Sequence, residues 1–267
     1  MAIHRAKALI LELLRKHGVC YGRELEVRLE GKDDLEHWDV YRARKQLVVE
    51  RKIRAVNRCG ATFFCNPKLP ITTADRIIEY KCELIDKLRY ISSEERGDKS
   101  LGKHAESVVL KALIKAGFTI AARDVNWFMG RCYQGKEDLD FLACKEDIWY
   151  GIEVKNMLDN LKWRESGKKD LETIIEICRT LGVVPMIVTR YLPRPYRIKL
   201  IGEGALVITY VELIVHPDFT NVAREWKQTF GYPIRVTSEP WDELVKNIAN
   251  AHSYAKRKQL WHRWKIT

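Results

Sequence analysis

No stretch of this chain is apolar enough for long enough to cross a bilayer. The longest such run, Ala205 to Val215, contains Glu212 and falls well short of the ~20 residues that a membrane-spanning helix needs. Cysteine is sparse and scattered. The seven residues at 20, 59, 65, 82, 132, 144 and 178 form no Cys-x-x-Cys pair and no Cys/His cluster with zinc spacing. An odd, dispersed set suits a reducing compartment, with most of the thiols acting as small core residues. Cys59 and Cys65 could bridge a hairpin. There is no internal repeat and no low-complexity tract. No signal peptide is expected, because Met1-Ala-Ile-His-Arg runs straight into an amphipathic helix. The expectation is a soluble, cytoplasmic protein.

What the chain does have is positive charge. Its 267 residues carry a formal charge of +11, which points to a polyanionic partner. Residues 1–70 hold 15 Lys/Arg against 9 Asp/Glu, and residues 219–267 hold 9 against 4. The middle, 71–218, is balanced at 23 and 23. Basic flanks around a neutral centre suit a protein that grips nucleic acid at its ends and does chemistry between them. The length allows two small domains or one large one.

The first part reads as helices over 3–17, 22–29 and about 35–50. The third places Val40, Ala43, Leu47 and Val48 inward and Arg42, Arg44, Lys45 and Gln46 around its surface. Two β-rich runs follow, Ile53–Asn57 and Ala61–Asn66, with Arg58-Cys59-Gly60 as the turn. Three helices and a basic-tipped hairpin resemble a winged helix-turn-helix domain, over roughly residues 3–68. That resemblance implies DNA contact through Arg42, Arg44, Lys45 and Arg58. An amphipathic helix over 72–91, capped by Thr72 or Thr73, reads as a connector. The polar stretch Ser92 to Ser100 reads as the boundary.

From residue 100 the pattern turns to alternating helix and strand. A helix spans Ser100–Ala116, a strand Phe118–Met129 and a Gly-rich loop 130–135. Strands at 139–144 and 148–154, a helix at 168–181 and a buried strand at 183–189 complete an αβββαβ order. A short helix and an apolar strand follow over 195–218. A helix at 219–230, a short strand at 234–237 and a last helix from 241 end the chain. The terminal run Lys256 to Lys265 mixes cations with Trp261 and Trp264. It suits either stacking on exposed bases or, at helical spacing with Trp241, Leu244 and Ile248, packing into a core.

One segment carries the chemistry. The second of these strands opens on Asp140, and the third ends in Glu153-Val-Lys155. Antiparallel pairing of the two strands brings Asp140 and Glu153 together at one end of a hairpin. Two carboxylates can hold a hard cation, and the ammonium beside them can meet an anion. Glu-x-Lys also occurs at Glu30, Glu50, Glu79 and Glu225, but there in helices or polar loops. Only Glu153-Val-Lys155 ends an apolar strand preceded at hairpin distance by another acid.

This arrangement resembles the PD-(D/E)xK nuclease superfamily, and archaeal Holliday-junction-resolvase-like endonucleases in particular, over about residues 99–190. The implied fold class is α/β. It comprises an αβββαβ restriction-endonuclease-like core, an N-terminal winged-helix domain and a C-terminal helical extension. By resemblance, Asp140 and Glu153 are metal ligands and Lys155 is the catalytic lysine. Glu106, on the first helix of the core, matches a further glutamate carried there by many members, which makes it a catalytic and metal-site residue that could hold a metal-bound water or a second ion. Leu139 stands where the family motif has proline. Asp138-Leu-Asp140 leaves both Asp138 and Asp140 as candidates for the first ligand, with Asp140 preferred. Lys162, Arg164, Lys168 and Lys169 stand where members often touch the scissile backbone. Arg131, Gln134 and Lys136 could approach phosphate.

The resemblance implies a Mg²⁺-dependent DNA endonuclease (Mn²⁺ as substitute) associated with the nucleoid. It divides the chain into a winged-helix domain (1–70), a linker helix (71–98), a nuclease domain (99–218) and a basic extension (219–267). A homodimer, or a protein partner in a repair, recombination, restriction or transposition complex, is the accompanying expectation. The alternative is a non-catalytic DNA-binding regulator or accessory subunit on a nuclease scaffold.

Overall fold

The computed structural model describes residues 2–29, 32, 35–156 and 166–264, with backbone alone at 94 and 166–169. The chain is mixed α/β with open sheets and divides into two compact units. Unit 1 comprises residues 1–93 and 219–234; unit 2 comprises 94–218 and 235–267. The helix read as a linker therefore lies mainly in unit 1, and the stretch after 219 is shared between the units. No helix of the described residues is long and apolar enough to cross a membrane.

Unit 1 contains α1 (Ala2–His17), β1 (Val19–Tyr21), α2 (Gly22–Leu29), α3 (His37–Val49), β2 (Arg54–Arg58), β3 (Ala61–Cys65) and α4 (Ile71–Ser92). Helix α8 (Thr220–Phe230) joins them. The strands form an antiparallel sheet in the order β1-β3-β2. Strand β1 is too short to show in the hydrophobic pattern, but it closes the sheet by pairing Val19 with Cys65. Ile10, Leu14, Leu25, Val40, Leu47 and Phe64 are buried together in the core. Helix α4 begins after Pro70, not after a threonine cap. The rigid φ of proline sets up the first turn in place of a side-chain cap.

Charge is also buried in this unit. Glu24 is fully enclosed and accepts hydrogen bonds from Lys81 Nζ (2.5 Å), Arg28 Nε (3.2 Å) and the backbone N–H of Tyr21 (3.0 Å). Glu26 pairs with Arg23 (2.5 Å) and Arg44 (3.1 Å). Cys59, in the β2–β3 turn, is bonded to Cys82 of α4 with their Cα atoms 6.0 Å apart. This corrects the pairing suggested by the sequence. Cys65 is buried at the end of β3 opposite Arg54, four pairs along the ladder from the turn that holds Cys59, and α4 supplies the partner instead.

Unit 2 contains α5 (Leu101–Lys115), β4 (Thr119–Val125), β5 (Trp127–Phe128), β6 (Arg131–Cys132), β7 (Leu139–Lys145) and β8 (Ile148–Lys155). It continues with α6 (Ser166–Leu181), β9 (Val184–Thr189), α7 (Arg194–Gly202), β10 (Leu206–Thr209), β11 (Leu213–Val215) and, after β12 (Ile234–Val236), α9 (Asp242–Lys258). Five strands make an open sheet in the order β10-β9-β8-β7-β4. Pairs β4–β7 and β7–β8 are antiparallel, while β8–β9 and β9–β10 are parallel.

Strand β8 is central and buried along most of its length, so its sequence is apolar without alternation. Helix α6 approaches it so closely that a Cβ on Gly151 would lie 2.7 Å from Cys178 Sγ. The stretch expected as one long strand followed by a loop divides instead. Strand β4 stops at Val125, and β5 and β6 form a separate two-stranded ribbon. At the C-terminus Trp264 is buried and Trp261 packs against the core, so the packing alternative holds for these two side chains.

Candidate metal and phosphodiester site

The β7–β8 hairpin turns on Glu146 and Asp147, both in the left-handed region (φ 49° and 61°). This is the two-residue turn that matches strand twist. It fixes the register, with Lys145 opposite Ile148 and Phe141 opposite Ile152. One step further, the same register sets Asp140 beside Glu153. The Oδ2 atom of Asp140 accepts a 2.7 Å hydrogen bond from the backbone N–H of Val154, tying the acid to the neighbouring strand. Glu153 and Lys155 lie two apart on one face of β8 and form an ion pair.

The end of β8 is held firmly. Asn156 donates through Nδ2 to Leu101 O (2.9 Å) and Ile214 O (2.7 Å), and its Oδ1 accepts from Ile214 N (3.1 Å) and Tyr210 Oη (3.3 Å). The carbonyl of Lys155 accepts from Arg190 N at 2.9 Å. Sequence reasoning passed over Asn156 and Tyr210. An amide directly after the strand carrying Glu-x-Lys was the available signal.

Helix α5, with Ser100 as N-cap, buries Leu101, His104, Ala105 and Val108 and leaves Glu106 half-buried. Glu106 accepts from Lys103 Nζ at 2.9 Å, one turn earlier on the helix, and Lys103 also lies 3.7 Å from Asp124. Asp140, Glu106, Lys103, Arg123 and Asp124 line an open cleft of about 530 Å³. Glu153 lies deeper and is only 6% exposed. Asp138 is exposed, one residue before β7 begins, whereas Asp140 is within the strand.

The electrostatics of this end of the sheet are unbalanced. Burial, then the carboxylates of Glu153 and Glu106, push the Asp140 carboxyl up to about 8, against the Val154 N–H and Lys155. Burial likewise raises Glu153, opposed by Lys155. Burial would lower the Lys155 ammonium, but the Glu153 carboxylate outweighs it and holds the proton more firmly than usual.

Mg²⁺ characteristically takes one or two protein carboxylates and keeps several waters. Asp140 and Glu153 fit that demand. Oε2 of Glu153 is buried with no hydrogen-bond partner among the described residues, and burial raises the Asp140 carboxyl beside it. Among the described residues no group of three or more His, Cys, Asp or Glu side chains could hold an ion. The fit is to a carboxylate pair and not to a closed protein cage.

The residues expected to touch DNA divide. Arg42, Lys45 and Arg58 are exposed, with Lys45 Nζ resting 4.8 Å from the centre of the Tyr41 ring. Arg44 is not on the surface. It is 8% exposed, paired with Glu26 and 5.3 Å from the centre of the Phe64 ring, because the buried Glu26 carboxylate requires a partner. Lys168 and Lys169 belong to the first turn of α6, but their side chains lie outside the described residues, as do Lys162 and Arg164 altogether. Arg131 is half-buried, while Gln134 and Lys136 are exposed. Compared with protein-family models, with curated proteins and with solved structures, the chain matches none of them.

Proposed function

We propose that this chain is a metal-dependent DNA endonuclease, with a PD-(D/E)xK-type core in unit 2 and a winged-helix-like module at residues 2–65. The observation that carries this reading is the half-buried Asp140 set beside the buried Glu153, whose Oε2 has no hydrogen-bond partner among the described residues, with Lys155 on the same strand end. Asp140 and Glu153 would hold Mg²⁺ or Mn²⁺, with Glu106 nearest to extend the set. A bound ion supplies positive charge against the phosphate and lowers the pKa of a coordinated water from about 15.7. Lys155 keeps its proton, so it acts as a fixed ammonium that offsets charge on the phosphodiester oxygens. The Val154 N–H holds Asp140 in place through Oδ2 and leaves its second oxygen for other work. DNA is the substrate class, in keeping with the charge of +11.

The test is cleavage of DNA in Mg²⁺ by the wild type and by Asp140→Ala, Glu153→Ala and Lys155→Ala. Each variant is expected to lose at least a hundredfold in rate, on the scale of removing one preorganised charge from a site, while still binding DNA. Metal-dependent cutting that persists in all three overturns the reading.

In a second reading the chain binds DNA as a regulator or accessory subunit without turnover, since the charge of +11 asks for a polyanion but not for chemistry. Binding without cleavage in every divalent ion would select it.

A further inference from the structure

The five-stranded sheet of unit 2 ends differently at its two edges. Strand β4 is blunted: its ladder to β7 shifts register between Ile120 and Ala122, and it exposes Arg123 and Asp124. Bulges and charges of that kind keep an edge from pairing with another chain. Strand β10, at the opposite edge, reads Leu206-Val207-Ile208-Thr209, with no charge, no proline and an even register to β9. Tyr210 N donates to Thr189 O at 3.0 Å, so Leu206 and Ile208, in step with Tyr210, also turn their backbone groups toward β9. The N–H and C=O groups of Val207 and Thr209 therefore point outward.

The helices beside this edge lie on opposite faces of the sheet. A Cβ on Gly151 would meet Cys178 of α6, whereas Tyr150, one residue earlier on β8, bonds His252 of α9 at 2.9 Å. Helix α7 stands with α6, joined to it by Lys199 and Glu172 at 2.8 Å. A groove of about 440 Å³ runs along β10, and each face brings it an exposed apolar side chain, Ile201 from α7 (49%) and Tyr254 from α9 (39%). Among the described residues no charged side chain lines it.

Helix α9 is built to face a copy of itself there. Glu243, Asn247, Asn250, Tyr254 and Arg257 recur every three or four residues and make one stripe, of which the middle three line the groove. Antiparallel pairing of two β10 strands places a two-fold axis normal to the sheet, and that axis sets the two α9 helices antiparallel. Centred on Asn250, the stripe then opposes unlike charges: Glu243 meets the partner's Arg257, Asn247 meets the partner's Tyr254, and the two Asn250 amides meet each other. Centred on Ile208, each Val207–Thr209 pair exchanges both of its backbone hydrogen bonds. A chain of charge +11 can approach its own kind only where like charges do not face one another, and this edge meets that condition. A single foreign strand could satisfy the backbone groups but would leave the charged ends of the stripe unmatched.

We propose that the β10 edge is the interface of a two-fold homodimer, in which two copies of this chain join their sheets through antiparallel β10–β10 pairing, flanked on one face by α9 against α9. The interface belongs to unit 2 alone and is independent of the chemistry at the acid site.

The test is the molar mass of the full chain by analytical ultracentrifugation across a dilution series. The wild type is expected to reach twice the mass of one chain. Thr209→Pro removes an outward N–H without touching the ladder to β9, a position that an edge strand tolerates, and should leave a monomer. Arg257→Glu should weaken the dimer roughly tenfold or more, because it sets Glu243 against a like charge. Glu243→Arg combined with Arg257→Glu should restore the dimer, which damage to the fold would not. Circular dichroism of each variant should match the wild type. A dimer that either Thr209→Pro or Arg257→Glu leaves intact, or that the exchanged pair fails to restore, overturns the proposed interface. A wild type that stays monomeric at its highest soluble concentration, with the Val207 and Thr209 amides open to hydrogen exchange, also overturns it and leaves the edge to a strand of another protein.

Discussion

Asp140 illustrates how a residue's surroundings become a pH dependence. Its carboxyl is raised from 3.8 to about 8. Between those values the folded chain holds a proton that the unfolded chain has released. Stability from this group is therefore greatest at low pH and declines as pH rises through the window. Asp140→Asn removes the buried charge while keeping an oxygen to accept from Val154. In the absence of divalent ions it should raise the melting temperature at pH 8, by about 2–4 °C for each kcal/mol recovered, and change little at pH 4. Mg²⁺ should stabilise the wild type at pH 8 and not the variant. Thermal melts at the two pH values, with and without the ion, check both statements. A melting temperature equally insensitive to pH in both proteins would show that the Asp140 carboxyl is not raised.

The elements show how much of this was legible in the sequence. The β7–β8 hairpin could be read because the polar turn and the two acids have fixed spacing, and pairing across a two-residue turn leaves no choice of register. The helices followed from 3.6-residue periodicity. Strand β1 and ribbon β5–β6 are two or three residues long and carry no periodicity of their own; only their partners make them strands. Arg44 was misjudged for a related reason. A helical pattern shows which positions are apolar, and a buried carboxylate such as Glu26, which draws a cation inward, is invisible to it.

Asn156 was missed because its four hydrogen bonds run to Leu101, Ile214 and Tyr210, 54 to 58 residues away in sequence. Asn156→Ala leaves those buried groups unsatisfied. It should cost about 3 kcal/mol in denaturant unfolding and loosen the end of β8, so that the DNA cleavage proposed for the site falls along with stability. Asn156→Asp, which keeps the acceptor but not the donors, should recover only part of the loss.

At the scale of the whole molecule, two units with separate cores should unfold as separable transitions. The Cys59–Cys82 bond closes a loop of 23 residues entirely within unit 1. Reduction, or Cys82→Ser, should lower that unit's stability by roughly 3 kcal/mol and leave the transition of unit 2 in place. Calorimetry with and without reductant reads the difference directly. Unit 1 also carries more of the charge excess, 21 Lys/Arg against 14 Asp/Glu, compared with 26 against 22 in unit 2.

Much of that charge is already spoken for. Arg23, Arg28, Arg44 and Lys81 are paired with Glu24 and Glu26 in and around the buried network, which leaves exposed residues such as Arg42, Lys45 and Arg58 for phosphate. Each duplex phosphate neutralised contributes about 0.9 to the slope of log affinity against log salt. The triple variant Arg42→Ala, Lys45→Ala, Arg58→Ala should therefore flatten that slope by about 2–3 and weaken binding most at low salt. Its cleavage rate at saturating DNA should be unchanged, because none of the three belongs to the acid site. Arg44→Ala should behave differently, destabilising the unit by about 1–3 kcal/mol because the buried Glu26 keeps Arg23 as its one remaining partner, without a matching change in slope. Binding titrations across a salt series, paired with denaturant melts of the same proteins, separate the cations proposed to meet DNA from the one that holds the fold. An unchanged slope in the triple variant would assign DNA binding to another surface.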